Sequence, residues 1–138
     1  MNIPHSEEEK EEDFLEYLYM GWKSGTEIWP HQVKMHLELM DAELKRLERG
    51  LMESGYLRKR AENSGYRLTE LGKVQGEECL LRHHNLTQFL QMTCGLEEEE
   101  AEENACRMEH VISPESFHAI KEHLNSEEHI KALSSQDK

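Results

Sequence analysis

The sequence predicts a mainly α-helical chain. An N-terminal winged helix-turn-helix fills residues 1–73, and an all-helical second domain fills residues 74–138. Three observations carry this. Apolar residues recur at helical spacing through most of the chain. Two short helical stretches joined by a tight turn lead into alternating residues on either side of an Asn-Ser-Gly turn. After Thr69 the pattern is helical again, interrupted at Gly95 and at Ser113.

The first helix runs from Glu7 to about Lys23, with Phe14, Leu15, Leu18 and Tyr19 on one apolar stripe. Asp13 and Glu16, at i and i+3, share an edge of it. Ser24-Gly25-Thr26 breaks the helix. Pro30 suits the first turn of a second, from Pro30 to about Leu39. Asp41 is a good N-cap for a third, in which Leu44, Leu47 and Leu51 fall at helical spacing and Gly55 ends the run. Two helices at a tight turn read as a helix-turn-helix. Tyr56-Leu57-Arg58-Lys59-Arg60 and Tyr66-Arg67-Leu68-Thr69 read as a β-hairpin with a basic first strand, the wing.

Thr69 caps a long helix through Leu80, Leu81, Leu86, Phe89 and Leu90 to about Thr93. It carries more apolar residues than one winged helix needs to cover, which points to self-association. An acidic run, Glu97 to Glu103, opens the next helix and suits its N-terminal dipole. Ser113 caps a last helix with Pro114 at its first position and Phe117, Ile120 and Leu124 on its apolar side.

Charge is unevenly spread. The net charge is -13, yet residues 23–82 carry eleven Lys/Arg against ten Asp/Glu, while the flanking segments are acidic. Any nucleic-acid face therefore lies in the middle segment. Lys45, Arg46 and Arg49 on the third helix and Arg58, Lys59 and Arg60 on the wing are its candidate contacts. No run of about 18 apolar residues suggests a membrane span. The acidic N-terminus lacks the order of a signal peptide. Cys79, Cys94 and Cys106 form no disulfide framework, so a cytoplasmic location is expected. No nucleophile–base pair or Gly-rich phosphate loop suggests an enzyme with a small-molecule substrate.

The most chemically loaded stretch is Ala105-Cys106-Arg107-Met108-Glu109-His110-Val111. Cys106, Glu109 and His110 stand at i, i+3 and i+4, one turn apart on one helical face. A thiolate, a carboxylate and an imidazole converging on one point suggest a transition-metal site. One segment rarely fills a coordination sphere, so other helices should supply further donors.

Several separated motifs, in matching order and distance, are similar to those of the iron-dependent repressor and manganese regulator family, that of the diphtheria toxin repressor. They are Leu68-Thr69-Glu70-Leu71-Gly72-Lys73, Arg82-His83-His84-Asn85-Leu86, Gly95-Leu96, and Ala105 to Ser113. The resemblance covers about residues 7–125 and is to the short manganese-type form, without a C-terminal SH3-like domain. It implies a metal-activated, homodimeric repressor that binds a double-stranded DNA operator. It places metal ligands at Asp13, Glu16, His84, Cys106, Glu109 and His110, with Glu102 a further candidate and Gln88 where iron-type members carry a second-site Glu. Asp13 and Glu16 follow the manganese-type pattern, and Cys106 the iron-type. Oxygen and nitrogen donors suit both ions, while a thiolate shifts the choice toward Fe²⁺, with Mn²⁺ second.

The resemblance also implies that metal sets the spacing of two recognition helices in successive major grooves. The presumed recognition helix, however, starts Met40-Asp41-Ala42-Glu43, where family members usually carry small hydroxyl residues. That departure supports a second expectation, a metal-sensing winged-helix protein-interaction module with weak or no DNA binding.

Overall fold

In a computed structural model, the backbone is described for residues 6–136 and the side chains for residues 6–126. The described elements are six helices: α1 (Glu7–Lys23), α2 (Pro30–His36), α3 (Asp41–Glu53), α4 (Glu70–Cys94), α5 (Glu98–Met108) and α6 (Pro114–Gln136). They divide into two compact units, Met1–Leu80 and Leu81–Lys138.

In the first unit, the Ser6 hydroxyl accepts the Glu9 N–H at 3.2 Å and caps α1, whose first turn carries Glu7, Glu8 and Glu9 at the positive dipole end. Pro30 opens α2 as expected, and the Gln32 side chain accepts the Trp29 N–H at 2.7 Å. α2 stops at His36, earlier than its apolar pattern suggests. Glu38 takes a left-handed φ of 54°, and the Leu39 N–H turns back to the Lys34 carbonyl at 2.9 Å. That turn buries Leu39.

Asp41 is the first residue of α3 and not its cap. Met40 holds the extended cap position, and the Asp41 carboxylate is drawn away to Lys34 at 2.6 Å. Gly55, at a φ of 81°, closes α3, a conformation that only glycine adopts without steric cost. The core of this unit joins Phe14, Leu15 and Leu18 of α1 to Val33, Leu44, Leu47 and Leu51 of α2 and α3. Phe14 meets Tyr66 edge-on, ring centroids 5.2 Å apart. The Tyr66 hydroxyl donates to Glu48 at 2.9 Å; burial, and then the adjacent carboxylate, push the phenol above its ordinary pKa.

The expected β-hairpin is reduced to a single antiparallel bridge between Leu57 and Leu68; no longer strand forms among the described residues. The Arg58 N–H donates to the Arg67 carbonyl at 2.9 Å, but the tip bonds elsewhere. The Tyr66 N–H goes to the Ile28 carbonyl at 2.8 Å, and the Gly65 N–H to the Glu27 carboxylate at 2.8 Å. The segment between α1 and α2 thus takes the donors that a second strand rung needs.

Thr69 caps α4, accepting the Gly72 N–H at 3.0 Å. The unit boundary falls inside α4, later than the division at 73/74 expected from sequence. The first turns of α4 lie hard against α1: a Cβ on Gly76 would stand 2.6 Å from the Tyr19 Cβ and 2.9 Å from the Leu15 carbonyl oxygen. A Cβ on Gly72 would stand 2.0 Å from the Tyr56 carbonyl oxygen, which itself accepts the Thr69 N–H at 3.1 Å. Gly72→Ala therefore forces backbone apart at the root of the wing. It is expected to destabilise the fold by roughly 1–3 kcal/mol, read as a lower urea midpoint at unchanged slope.

In the second unit, Leu86 and Leu90 of α4 pack with Ala101 and Ala105 of α5, and Ile120 of α6 packs against that cluster. Gly95, at a φ of 68°, ends α4. The Ser113 hydroxyl accepts the Ser116 N–H at 3.1 Å and caps α6.

Candidate metal centre

The buried stripe of α5 is Ala101 and Ala105, and one more step of four residues reaches Glu109. Glu109 is the C-cap, but its backbone stays helical (φ -59°, ψ -28°) and its N–H donates to Ala105 at 2.9 Å. The i, i+3, i+4 spacing of Cys106, Glu109 and His110 therefore holds beyond the formal end of the helix. Each of the three offers one ligand atom, and those atoms lie within 4.8 Å of one another.

Glu109 is only 1% exposed, a carboxyl side chain enclosed by the protein. His110 Nε2 stands 3.3 Å from one of its oxygens and His83 Nδ1 3.6 Å from the other. Among the described residues, neither oxygen accepts a hydrogen bond. An uncompensated buried carboxylate costs several kcal/mol. A divalent cation removes that cost, and the donor set fits one. Ligands about 2.1 Å from a common ion stand about 3.0–3.5 Å from each other, close to the spacings seen here. The sulfur, oxygen and nitrogen donors are those of a transition-metal site.

The imidazole that approaches Glu109 is that of His83, whereas His84, the residue expected from sequence, is exposed. The phase of α4 explains the difference. Cys79, Leu86 and Leu90 are buried, and residue 83 completes their 4-3-4 stripe, while residue 84 is rotated about 100° off it. Counting back from Leu90 and Leu86 would have found His83 in the sequence. Glu102 is exposed too, one position past the buried Ala101. In the first unit, Asp13 and Glu16 are half-buried on α1 at the edge of the Phe14, Leu15, Leu18 stripe.

The expected DNA contacts divide into two sets. Lys45, Arg49, Arg58 and Lys59 are exposed. Arg46 is exposed as well, but its Nε donates to Glu7 at 2.9 Å. Arg60 has a local role: its Nη1 donates to the carbonyls of Ala61, Glu62 and Ser64 at 3.1, 3.2 and 2.8 Å and ties the wing tip together. The two acids that open α3 are also engaged. Lys34 holds the Asp41 carboxyl below the usual carboxylate range, and Lys10 does the same for Glu43. Glu43 also accepts the Met40 N–H at 3.4 Å.

Residues 69–131 match the family model described as the iron dependent repressor, metal binding and dimerisation domain. An uncharacterized HTH-type transcriptional regulator of Methanocaldococcus jannaschii is 29% identical over 111 residues, 80% of this chain and 88% of that protein. Among solved structures, the manganese regulator SloR is similar in fold, with a TM-score of 0.74 at 21% identity over 83% of this chain and 53% of its own. IdeR of T. acidophilum follows at a TM-score of 0.70 and 18% identity, over 90% of this chain and 56% of its own. A hypothetical protein from Sulfolobus solfataricus has a TM-score of 0.65 at 17% identity, over 84% of this chain and 88% of its own. The chain thus spans about half the length of the SloR and IdeR chains and most of the length of the other two. Among the described residues, no helix is long and apolar enough to cross a membrane.

Proposed function

We propose that this chain is a member of the iron- and manganese-dependent repressor family, whose metal-binding and dimerisation model matches residues 69–131, and that it is a metal-dependent, DNA-binding transcriptional regulator, a homodimer that represses metal-uptake genes. The observation that carries this reading is the buried carboxylate of Glu109, which among the described residues accepts no hydrogen bond, beside Cys106, His110 and His83. Those four residues would hold the ion. Asp13 and Glu16 of α1 are proposed as further donors on the family pattern alone. Exposed His84 and Glu102 are left outside the set.

Fe²⁺ is the first choice and Mn²⁺ the second. A bound ion would supply positive charge to a site whose own charge is negative, and the half-buried Cys106 thiolate favours the softer ion. For DNA, Lys45 and Arg49 of α3 and Arg58 and Lys59 of the wing serve as the phosphate-directed contacts. Arg46 is added once phosphate competes with Glu7 for it. An exposed ion pair is worth at most about 1 kcal/mol, so that exchange is easy.

Binding of duplexes enriched from a randomised pool is expected to rise at least tenfold with Mn²⁺, or with Fe²⁺ in the absence of oxygen. It is expected to fall again with chelator and to weaken steeply with salt. Affinity indifferent to metal and chelator would refute the regulator reading. The engaged state of Arg46 and Arg60 favours a second reading, a metal-sensing protein-interaction module. Metal binding without any salt-sensitive DNA binding would select it.

A further inference from the structure

We propose that Met35 and Met40 are specificity-determining residues that read thymine C5-methyl groups in the major groove. The proposal rests on the DNA-binding reading above and goes beyond it by naming the base feature that is recognised. Met35 and Met40 are 78% and 75% exposed, among the most exposed large apolar side chains described. Both lie at the elbow between α2 and α3. Met35 is in the last turn of α2, and Met40 is the residue that immediately precedes α3.

The elbow is held firmly beneath them. Leu39 is buried between the two methionines, and the backbone closes through Leu37 N–H to Val33 and Leu39 N–H to Lys34, both at 2.9 Å. The methionines are therefore presented outward by a fixed turn.

Two acids beside them are paired with cations, Asp41 with Lys34 and Glu43 with Lys10, while Glu38 of the elbow is exposed. The large apolar groups that this elbow offers to a base edge are the two methionines. In the major groove the apolar group on a base edge is the thymine methyl, and apolar side chains select it. An unbranched thioether is flexible enough to lie against it. The cations that would seat this end on phosphate are about one and two turns along α3, at Lys45 and Arg49, and on the wing, at Arg58 and Lys59. That charge complementarity is why a duplex, rather than an apolar protein surface, is the occupant.

The test uses full-length protein with Mn²⁺ and duplexes enriched from a randomised pool. Each thymine is replaced in turn by deoxyuridine, which lacks only the methyl group. The wild type is expected to lose about fourfold in affinity at each contacted thymine, the transfer free energy of one methyl group expressed as a ratio. Met35→Ala and Met40→Ala are expected to melt as the wild type does and to bind thymine and deoxyuridine duplexes alike at the position each residue reads. Wild-type binding that is sequence-selective but blind to deoxyuridine overturns the proposal and leaves the regulator reading intact. Deoxyuridine sensitivity that persists in both variants overturns it as well, since other groups then read the methyl. If no duplex is enriched with metal present, the regulator reading and this proposal fall together, and the methionine pair belongs to a protein-docking surface.

Discussion

Glu109→Gln is expected to lower affinity for Mn²⁺ and Fe²⁺ more than about 100-fold while leaving the metal-free protein at least as stable as the wild type. The first half follows from the proposed role. Replacing a partner that merely orients a ligand typically costs 10–100-fold, so removing the central carboxylate costs more. The second half follows from burial. The wild-type side chain is an acceptor-only group shielded from water, with imidazole nitrogens at 3.3 and 3.6 Å and, among the described residues, no hydrogen bond to either oxygen. Glutamine has the same shape, carries no charge, and can donate to an imidazole nitrogen.

Titration calorimetry gives the affinity, and thermal melts with and without metal give the stability. Metal at 100 times its dissociation constant stabilises the wild type by about 2.7 kcal/mol, which for a chain of this size raises the melting point by roughly 5–10 °C. In the variant that shift is expected to vanish at the same metal concentration. A variant that binds metal normally but melts earlier would mean that Glu109 serves packing and that the centre lies elsewhere.

The sign of that stability change separates a functional residue from a structural one, and it also marks what could be read from sequence. The helical stripes were legible because burial repeats along them: Phe14, Leu15 and Leu18, or Leu44, Leu47 and Leu51, are each set by local periodicity. The Cys106, Glu109, His110 grouping was legible for the same reason. In α4 the buried stripe through Cys79, Leu86 and Leu90 passes through His83, which stands near Glu109, and not through His84, the residue expected from sequence. The rest depends on partners distant in sequence. The hairpin is cut to one bridge because Gly65 donates to Glu27, 38 residues away, and nothing in the local alternation records that claim. Arg46 reads as a free phosphate contact until Glu7, 39 residues earlier, is found beside it. Asp41 looks like a cap until Lys34 draws its carboxylate away.

Phe14→Ala is expected to be the most damaging single core substitution in the first unit, costing about 3–5 kcal/mol. Phe14 has no exposed surface, anchors α1 into the cluster with Leu15, Leu47 and Leu51, and meets the Tyr66 ring edge-on. Its loss removes contacts to α1 and to the wing segment at once. A loss of that size is a large share of the total stability of a small domain, about 5–15 kcal/mol. Chemical denaturation followed by near-ultraviolet circular dichroism is expected to show the aromatic signal of the first unit lost at a much lower midpoint.

Among the described residues, the second unit has no aromatic side chain as fully buried as Phe14. Among the described residues, its main buried cluster is Leu86 and Leu90 with two alanines, Ala101 and Ala105, and the larger apolar side chains packed against it, Phe89, Met108 and Ile120 among them, are only partly buried. Such a unit is expected to gain stability from association or from a bound ion, because binding free energy becomes folding free energy when the site forms only in the native state. Metal is therefore expected to sharpen and raise the melting of the second unit even in Phe14→Ala. Protection of the amide hydrogens of α5 from exchange reads that directly: it should rise on addition of Mn²⁺ in the Phe14 variant and stay flat in Glu109→Gln. If α5 is equally protected with and without metal in the wild type, its small core suffices alone and the ion does not contribute to its folding.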